Sequence, residues 1–305
     1  MRILVTGACG FVGKHLIAEL NAAGHEVFGV DVGHPPAGLL PEERCVTADI
    51  TSLETMSKVV FDILPEACVH LAAWAFVPAG GANPQKMIEI NVMGTTQVLE
   101  AFRIVAPKAR LLAVSTAQVY GMKRREAPVR EEDPLFPESF YAISKAAADE
   151  IARLYGRQCG MPVMVARPHN HIGPGQSPQF AVAAFARQIR AIAKGATPVM
   201  KVGNLDNVRD FTDVRDIVRA YRLLLEKGQP GQAYNIASGR QVRVGDLLDT
   251  LCRLAGVQPR IERDAALYRP DDGSPILDTQ RLVDATGWTP GVRLDKTLKD
   301  ILDQP

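Results

Sequence analysis

The chain has 305 residues, 47% hydrophobic and 23% charged, with a formal net charge of +1. So even a balance excludes a basic face for nucleic acid or an anionic membrane and points to a small-molecule partner; the length suits one full domain with a smaller dependent part. The five cysteines (Cys9, Cys45, Cys68, Cys159, Cys252) are scattered without a CxxC pair or metal-ligand spacing, which reads as reduced thiols of a cytoplasmic protein with no metal site.

Met1 and Arg2 lead into Ile3-Leu4-Val5, too short an apolar run for a signal-peptide core, and no later stretch approaches the ~18 apolar residues of a membrane span. Short β-branched runs at 2–6, 25–31, 44–48, 67–73, 109–115 and 161–167 predict strands. Each is nearly continuous in apolar residues, the signature of parallel strands covered on both faces. Amphipathic segments at 11–23, 52–63, 84–105 and 141–158 predict the intervening helices; Gly24 stops the first, Thr51 or Ser52 caps the second and Pro65 ends it. The alternation predicts an α/β fold with a doubly wound parallel sheet of the Rossmann type.

After Pro168 the pattern loosens. Residues 169–180 are rich in Gly, Pro and Gln, a helix is expected at 180–194, and 196–210 reads as loop with a short strand at 198–202. Helix 213–227 and strand 232–237 are expected to return to the main sheet, while helices near 244–255, 278–286 and 293–303 form a smaller lobe. The expected division is a dinucleotide-binding part, 1–168 with 208–237, and a discontinuous substrate-binding part, 169–207 with 238–305.

Between the first strand and helix, Thr6-Gly7-Ala8-Cys9-Gly10-Phe11-Val12-Gly13 has the pattern GxxGxxG. Glycines there permit a tight turn and let main-chain N–H groups approach a pyrophosphate at the positive end of the following helix. Alone the pattern is also that of an ordinary turn. Asp31, closing the second strand, adds a carboxylate for the adenosine ribose hydroxyls. It would repel the ribose phosphate of NADP, so NAD is favoured, although Lys14 nearby leaves NADP open. Asp49-Ile50 either contacts adenine or supplies a helix N-terminal acid.

Tyr141 and Lys145 lie one helical turn apart in Tyr141-Ala142-Ile143-Ser144-Lys145. A phenol of pKa about 10 exchanges protons poorly at neutral pH. An ammonium about 5 Å away contributes on the order of 3 kcal/mol at an effective dielectric near 20, so Lys145, with an oxidised nicotinamide, is expected to acidify Tyr141. Strand 109–115 ends in Ser115-Thr116, which brings a hydroxyl to the carboxyl edge of the sheet to hold a substrate carbonyl. Each motif is commonplace by itself; their order behind the glycine turn makes them a catalytic set.

TGACGFVG, HLAA at 70–73, NVMGT with Asn91, STAQVYG, YAISK and ARPHNHIGPGQ follow one another as in the extended short-chain dehydrogenases/reductases acting on nucleotide sugars, which the chain resembles over its whole length. The stretch 202–221, then YNIASG and YRPDD, most resembles the GDP-4-keto-6-deoxy-D-mannose reductases. The resemblance implies a GDP-linked sugar substrate, a homodimer paired through helices 84–105 and 141–158, and cofactor contacts from Leu71, Ala72, Ala73, Asn91 and Pro168. It implies substrate contacts from Ser115, Asn170, Lys201, Arg209 and Arg269; Arg209 beside Asp210 and Asp213, and Arg269 beside Asp271 and Asp272, could equally be ion-paired. Related 4,6-dehydratases carry an acid pair after the catalytic threonine, where this chain has Ala117 and Gln118, neither able to exchange a proton. NAD(P)H-dependent reduction of a 4-keto-6-deoxyhexose is therefore expected, with a 4-epimerase as the alternative. A non-catalytic dinucleotide sensor is the competing class, disfavoured by the intact Tyr141 and Lys145. The run Lys123 to Asp133 is expected to be a solvated loop, Cys9 not to be a nucleophile, and Trp288 to be a core or helix-end anchor rather than a stacking platform.

Overall fold

The computed structural model describes residues 1–33, 38–75, 83–121, 127–268 and 273–304. The chain enters at the centre of a parallel sheet with β1 (Arg2–Thr6), crosses through α1 (Phe11–Ala22) to β2 (Glu26–Asp31), and continues outward to β3 (Cys45–Thr47). Helix α2 (Leu53–Ile63) is capped by Ser52, whose hydroxyl accepts the Thr55 N–H at 3.2 Å. It ends at Leu64, held at φ 48° between the helix and Pro65. The chain then jumps back past β1 to β4 (Ala67–His70). Next come a broken helix, α3 (Pro84–Ile88) and α4 (Thr95–Val105), then β5 (Arg110–Val114), α5 (Phe140–Cys159) and β6 (Val163–Pro168).

The sheet order is β10-β6-β5-β4-β1-β2-β3, with β10 (Ala233–Ile236) returning to the far edge. The winding reverses between β1 and β4, and in open α/β sheets that crevice, beyond the carboxyl ends of the strands, is where ligands bind. Both faces are covered. Ile3, Val5 and Leu112 pack with Leu16 and Ile17 of α1 and with Ile217, Tyr221 and Leu224 of α7 (Val214–Lys227). Leu4, Leu111 and Ala113 pack on the opposite side with Met56, Val60, Leu99, Phe102 and Ala152. Alternate residues of one strand thus enter opposite cores, so the strand sequences read as continuous apolar runs.

The expected single helix at 84–105 is interrupted by a wide π turn at Glu89–Gly94. Gly94 makes room for it: a Cβ there would lie 2.6 Å from Ile50 Cδ1. The hydroxyls of Thr95 and Thr96 donate to the carbonyls of Asn91 and Val92, at 2.7 and 2.9 Å. Such turns distort a regular helix at a local cost and place a side chain that a regular helix would aim elsewhere.

Beyond β6 the chain forms small sheets that the pattern does not predict. β7 (Asn170–Ile172) runs parallel to β9 (Val208–Asp213), which pairs antiparallel with β11 (Gln241–Arg243). β8 (Val199–Val202), the short strand expected there, pairs with β12 (Arg260–Arg263). Helices α6 (Ala181–Ala193), α8 (Val244–Ala255) and α10 (Leu294–Asp303) enclose a third core around Phe185, Ile189, Met200, Leu248, Leu251 and Leu298. Part of β9 falls where the pattern predicts loop, because its inward residues are polar. Asp210 accepts N–H bonds from Ser238 and Arg240 at 2.9 and 3.0 Å, and Asp213 pairs with Arg215 and Thr297. Helix α9 (Gln280–Thr286) does not join this lobe as expected: Leu282 and, just after it, Trp288 are buried in the main-sheet core, where the Trp288 indole donates to the Asp216 carbonyl at 2.9 Å. No helix among the described residues is long and apolar enough to cross a membrane.

Candidate active site

The glycine turn occupies the switch point. Gly7 has φ +72°, and a Cβ on it would lie 2.8 Å from the Ala72 nitrogen, so the ends of β1 and β4 close together only around a bare Cα. Gly10 caps α1 without any side-chain hydrogen bond, and Gly13 lies against the Gly7 carbonyl. The Asp31 carboxylate accepts the Cys9 N–H at 2.9 Å and the Val32 N–H at 2.8 Å, which fixes it at the end of β2. This bare helix start with a fixed carboxylate beside it fits a dinucleotide, with the pyrophosphate over residues 10–13 and the adenosine ribose at Asp31.

Neighbouring candidates differ in what they can offer. The Phe11 ring is occupied with His15 and His171, 5.5 and 6.3 Å away, leaving its backbone for a ligand; Val12 packs on the core. Asp49 is exposed and accepts both the backbone N–H and the hydroxyl of Thr51 at 2.9 Å in a local turn ahead of α2, whose cap is Ser52 and whose first-turn acid is Glu54, while Ile50 is buried. Leu71, Ala72 and Ala73 line the end of β4, and Pro168 ends β6. Asn91 is buried, and its amide is spent on the protein. It accepts the Trp74 N–H at 2.7 Å and donates to the Trp74 carbonyl and the Ser144 hydroxyl. These bonds staple the loop after β4 to α5. The π turn is what aims Asn91 there.

Thr116, Tyr141 and Lys145 converge at the carboxyl edge. Thr116 caps a short turn by accepting the Gln118 N–H at 3.3 Å, and it stands beside Tyr141, where its hydroxyl favours the ionised phenol. At Tyr141 the protein's own contribution runs opposite to the expected acidification, which also counted on an oxidised nicotinamide. Burial pushes the phenol up to about 12, offset only partly by Thr116, while burial pulls Lys145 down to about 8 against the pull of Asp149. Desolvation is the largest influence on each, so the protein by itself favours the neutral phenol at Tyr141 and loosens the proton on Lys145. Ser115 is buried, 3.5 Å from the Lys145 carbonyl, and finishes the strand.

Beneath Lys145 lies His70, pushed down to about 3 by burial and by the Lys145 charge, hence neutral. Counting hydroxyl protons assigns its tautomer. Thr95 gives its only proton to the Asn91 carbonyl, so His70 Nε2–H donates to Thr95 at 2.9 Å. His70 Nδ1 then accepts from Thr6 at 2.7 Å, and Thr6 accepts the Ala72 N–H. This chain ties β1, β4 and α4 under the reaction centre.

Of the expected substrate residues, Asn170 donates to His169 and to the Asp210 carbonyl. Lys201 is exposed on β8, its backbone held by the Gln188 amide. Arg209 donates to the Val208 carbonyl at 2.9 Å. Arg269 lies outside the described residues, as does 122–126. The remainder of the loop expected to be solvated is partly buried: Glu131 accepts the Asn235 N–H at 2.8 Å, because its carboxylate closes a polar network against β10. His169 uses both ring nitrogens, toward Asn170 and Ser274, at 2.8 and 2.9 Å. Burial first, then Asp31, raises the Cys9 thiol, in keeping with an unreactive cysteine.

Sequence reasoning missed the centre of that network. Arg167, fully buried, donates to both oxygens of Asp149, to the Tyr120 hydroxyl and to the Glu131 carbonyl. An arginine amid a core strand was the available signal, since a buried charge requires a partner.

A doubly wound sheet with a glycine cradle at its switch point, and Thr, Tyr and Lys at its carboxyl edge, defines an extended short-chain dehydrogenase/reductase. Residues 4–301 match the family model described as GDP-mannose 4,6 dehydratase, and the chain belongs to that family. It is 36% identical over 304 residues to the GDP-6-deoxy-D-mannose reductase of Pseudomonas aeruginosa, covering 99% of this chain and 96% of that one. Among solved structures it superposes on RMD from Pseudomonas aeruginosa complexed with NADPH with a TM-score of 0.88, at 35% identity and covering 99% and 97% of the two chains. The UDP-glucose 4-epimerase of Thermus thermophilus complexed with NAD also gives 0.88, at 28% identity and covering 99% and 98%. The chain is thus an NAD(P)-dependent enzyme acting on nucleotide sugars.

Proposed function

We propose that the enzyme reduces the C4 ketone of a nucleotide-linked 4-keto-6-deoxyhexose, GDP-4-keto-6-deoxy-D-mannose, with NAD(P)H. The observation that carries the reading is the turn after Thr116. Ala117 is buried and Gln118 gives its N–H to Thr116, so the turn offers no acid or base beyond Tyr141 for eliminating water. The bound dinucleotide supplies the hydride. Thr116 orients the ketone, Tyr141 gives its proton to the C4 oxygen, and the Lys145 charge stabilises the phenolate left behind. Arg209, Lys201, Asn170 and Arg269 are assigned to the nucleotide diphosphate, 169–207 with 238–305, apart from α9 and Trp288 in the main-sheet core, to the sugar-nucleotide part, and the reaction to the cytoplasm.

Incubation with GDP-4-keto-6-deoxy-D-mannose and either cofactor is expected to oxidise the cofactor stoichiometrically, faster with NADH than NADPH because of Asp31. Lack of turnover with both removes the reading. Tightly bound NAD with interconversion of C4 epimers, and no net oxidation, would establish the epimerase instead.

Pairing through α4 and α5 into a homodimer is also proposed, supported by the exposed apolar residues Met93, Ile104, Ile143 and Leu154 on and beside these adjacent helices. Sedimentation of the purified protein is expected to give a dimer that Ile143→Asp dissociates; a wild-type monomer would contradict it.

A further inference from the structure

Asp149 follows Lys145 by one helical turn, as Lys145 follows Tyr141, so the three share one face of α5. Asp149 is buried and clasped two-pronged by Arg167, with Nε to Oδ2 at 2.8 Å and Nη2 to Oδ1 at 2.9 Å. The remaining Arg167 bonds reach the Tyr120 hydroxyl at 2.8 Å and the Glu131 carbonyl at 3.0 Å, and Tyr120 donates onward to Asn235. One guanidinium therefore joins the helix carrying Tyr141 and Lys145 to the turn that Thr116 opens.

A cavity of about 10 Å³, room for a single water molecule, is lined by His70, Thr95, Ser115, Lys145 and Asp149. The groups facing Lys145 are Asp149 on its own helix, His70 on β4, Ser115 just after β5, Thr95 on α4 and, behind Asp149, Arg167 on β6, with Tyr141 one helical turn before Lys145. Among these described residues Asp149 is the anion: His70 and Tyr141 are neutral, and Arg167 lies on the far side of the carboxylate with Tyr120 and Glu131 around it.

We propose that Asp149 and Arg167 are positioning residues of the reaction centre, an oriented ion pair whose negative end serves as the counter-charge that maintains Lys145 as a cation beneath Tyr141. Arg167 sets the carboxylate's direction, and through Tyr120 couples that direction to the placement of Thr116. The inference rests on the reductase reading, in which the Lys145 charge assists proton donation by Tyr141.

The test compares wild type with Asp149→Asn, which retains shape and loses charge. Removing an anion beside an ammonium makes deprotonation easier; kcat/KM is expected to fall as Lys145 loses its proton, which burial pulls down to about 8, and in the variant that fall is expected to move down by about one pH unit. The same shift is expected in the cofactor-free protein, read from Lys145 in lysine carrying ¹³C at Cε and assigned with Lys145→Met. Arg167→Lys, which retains the charge but not the double grip, is expected to displace the Lys145 midpoint by a smaller amount, and carries the test if Asp149→Asn does not fold. A folded Asp149→Asn, or Arg167→Lys in its place, with the wild-type Lys145 midpoint overturns the proposal and leaves the pair a structural staple. The spectroscopic arm needs no substrate, so wild-type failure to reduce the keto-sugar would remove the reductase reading without affecting this result.

Discussion

Tyr141→Phe is expected to lower kcat/KM by about 10²- to 10⁴-fold, the range for removing a general acid, while NAD(P)H binding changes by no more than a few-fold. The phenol is partly buried at the edge of the sheet, and the protein environment holds it protonated, pushed up to about 12 by burial. Its hydroxyl is therefore a proton donor at neutral pH, and phenylalanine removes the proton without altering the ring's packing. Thr116 retains its bond to the Gln118 N–H, so the catalytic turn should survive. The glycine cradle stands on other elements, β1 and α1, and is not disturbed. Steady-state turnover beside a fluorescence titration of NADH separates the two effects. A variant with a third or more of wild-type turnover would remove Tyr141 from the chemistry, and an unchanged output in a binding assay would revive the sensor interpretation.

Gly13→Ala should weaken NAD(P)H binding by roughly tenfold or more, about 1.4 kcal/mol per decade, and lower the melting temperature. In an exposed helix the same change is favourable by as much as about 1 kcal/mol. Here the new methyl carbon would lie 2.3 Å from the Gly7 carbonyl oxygen and 2.6 Å from that of Ala8. Neither oxygen can yield independently. The turn is pinned by Gly7 N–H and Ala8 N–H to Val30 O, at 2.8 and 3.2 Å, and by Gly10 N–H to Gly7 O at 3.1 Å. Helix α1 must retreat from the strand, at an overpacking cost of about 1–3 kcal/mol, and the N–H groups at its start move away from the pyrophosphate. Cofactor titration and a thermal melt together check this. Wild-type affinity with a wild-type melt would show that the cradle tolerates a side chain and that its glycines are incidental.

Both outcomes rest on motifs that can be read without coordinates, because each acts within one element or one turn. The GxxGxxG pattern is a statement about backbone clearance, and the structure supplies its partners, Ala72 for Gly7 and Gly7 for Gly13. The spacing of Tyr141 and Lys145 is a property of helical geometry and holds wherever the helix lies. The continuous apolar strands announced a sheet covered on both faces for the same local reason. Where strands are short and their buried residues polar, as in Val208–Asp213, no local pattern exists, since the carboxylates are satisfied by N–H groups and side chains from remote segments.

By itself, then, the sequence determined the dinucleotide sheet, the cradle and the order of the catalytic side chains along the chain, all consequences of periodicity and residue type. Only the tertiary structure decided the desolvation that raises the Tyr141 phenol, the stapling of Asn91 to Trp74 and Ser144, and the pairing of Arg167 with Asp149. Desolvation and long-range hydrogen bonding arise from what packs around a group, and residues distant in the chain supply that packing.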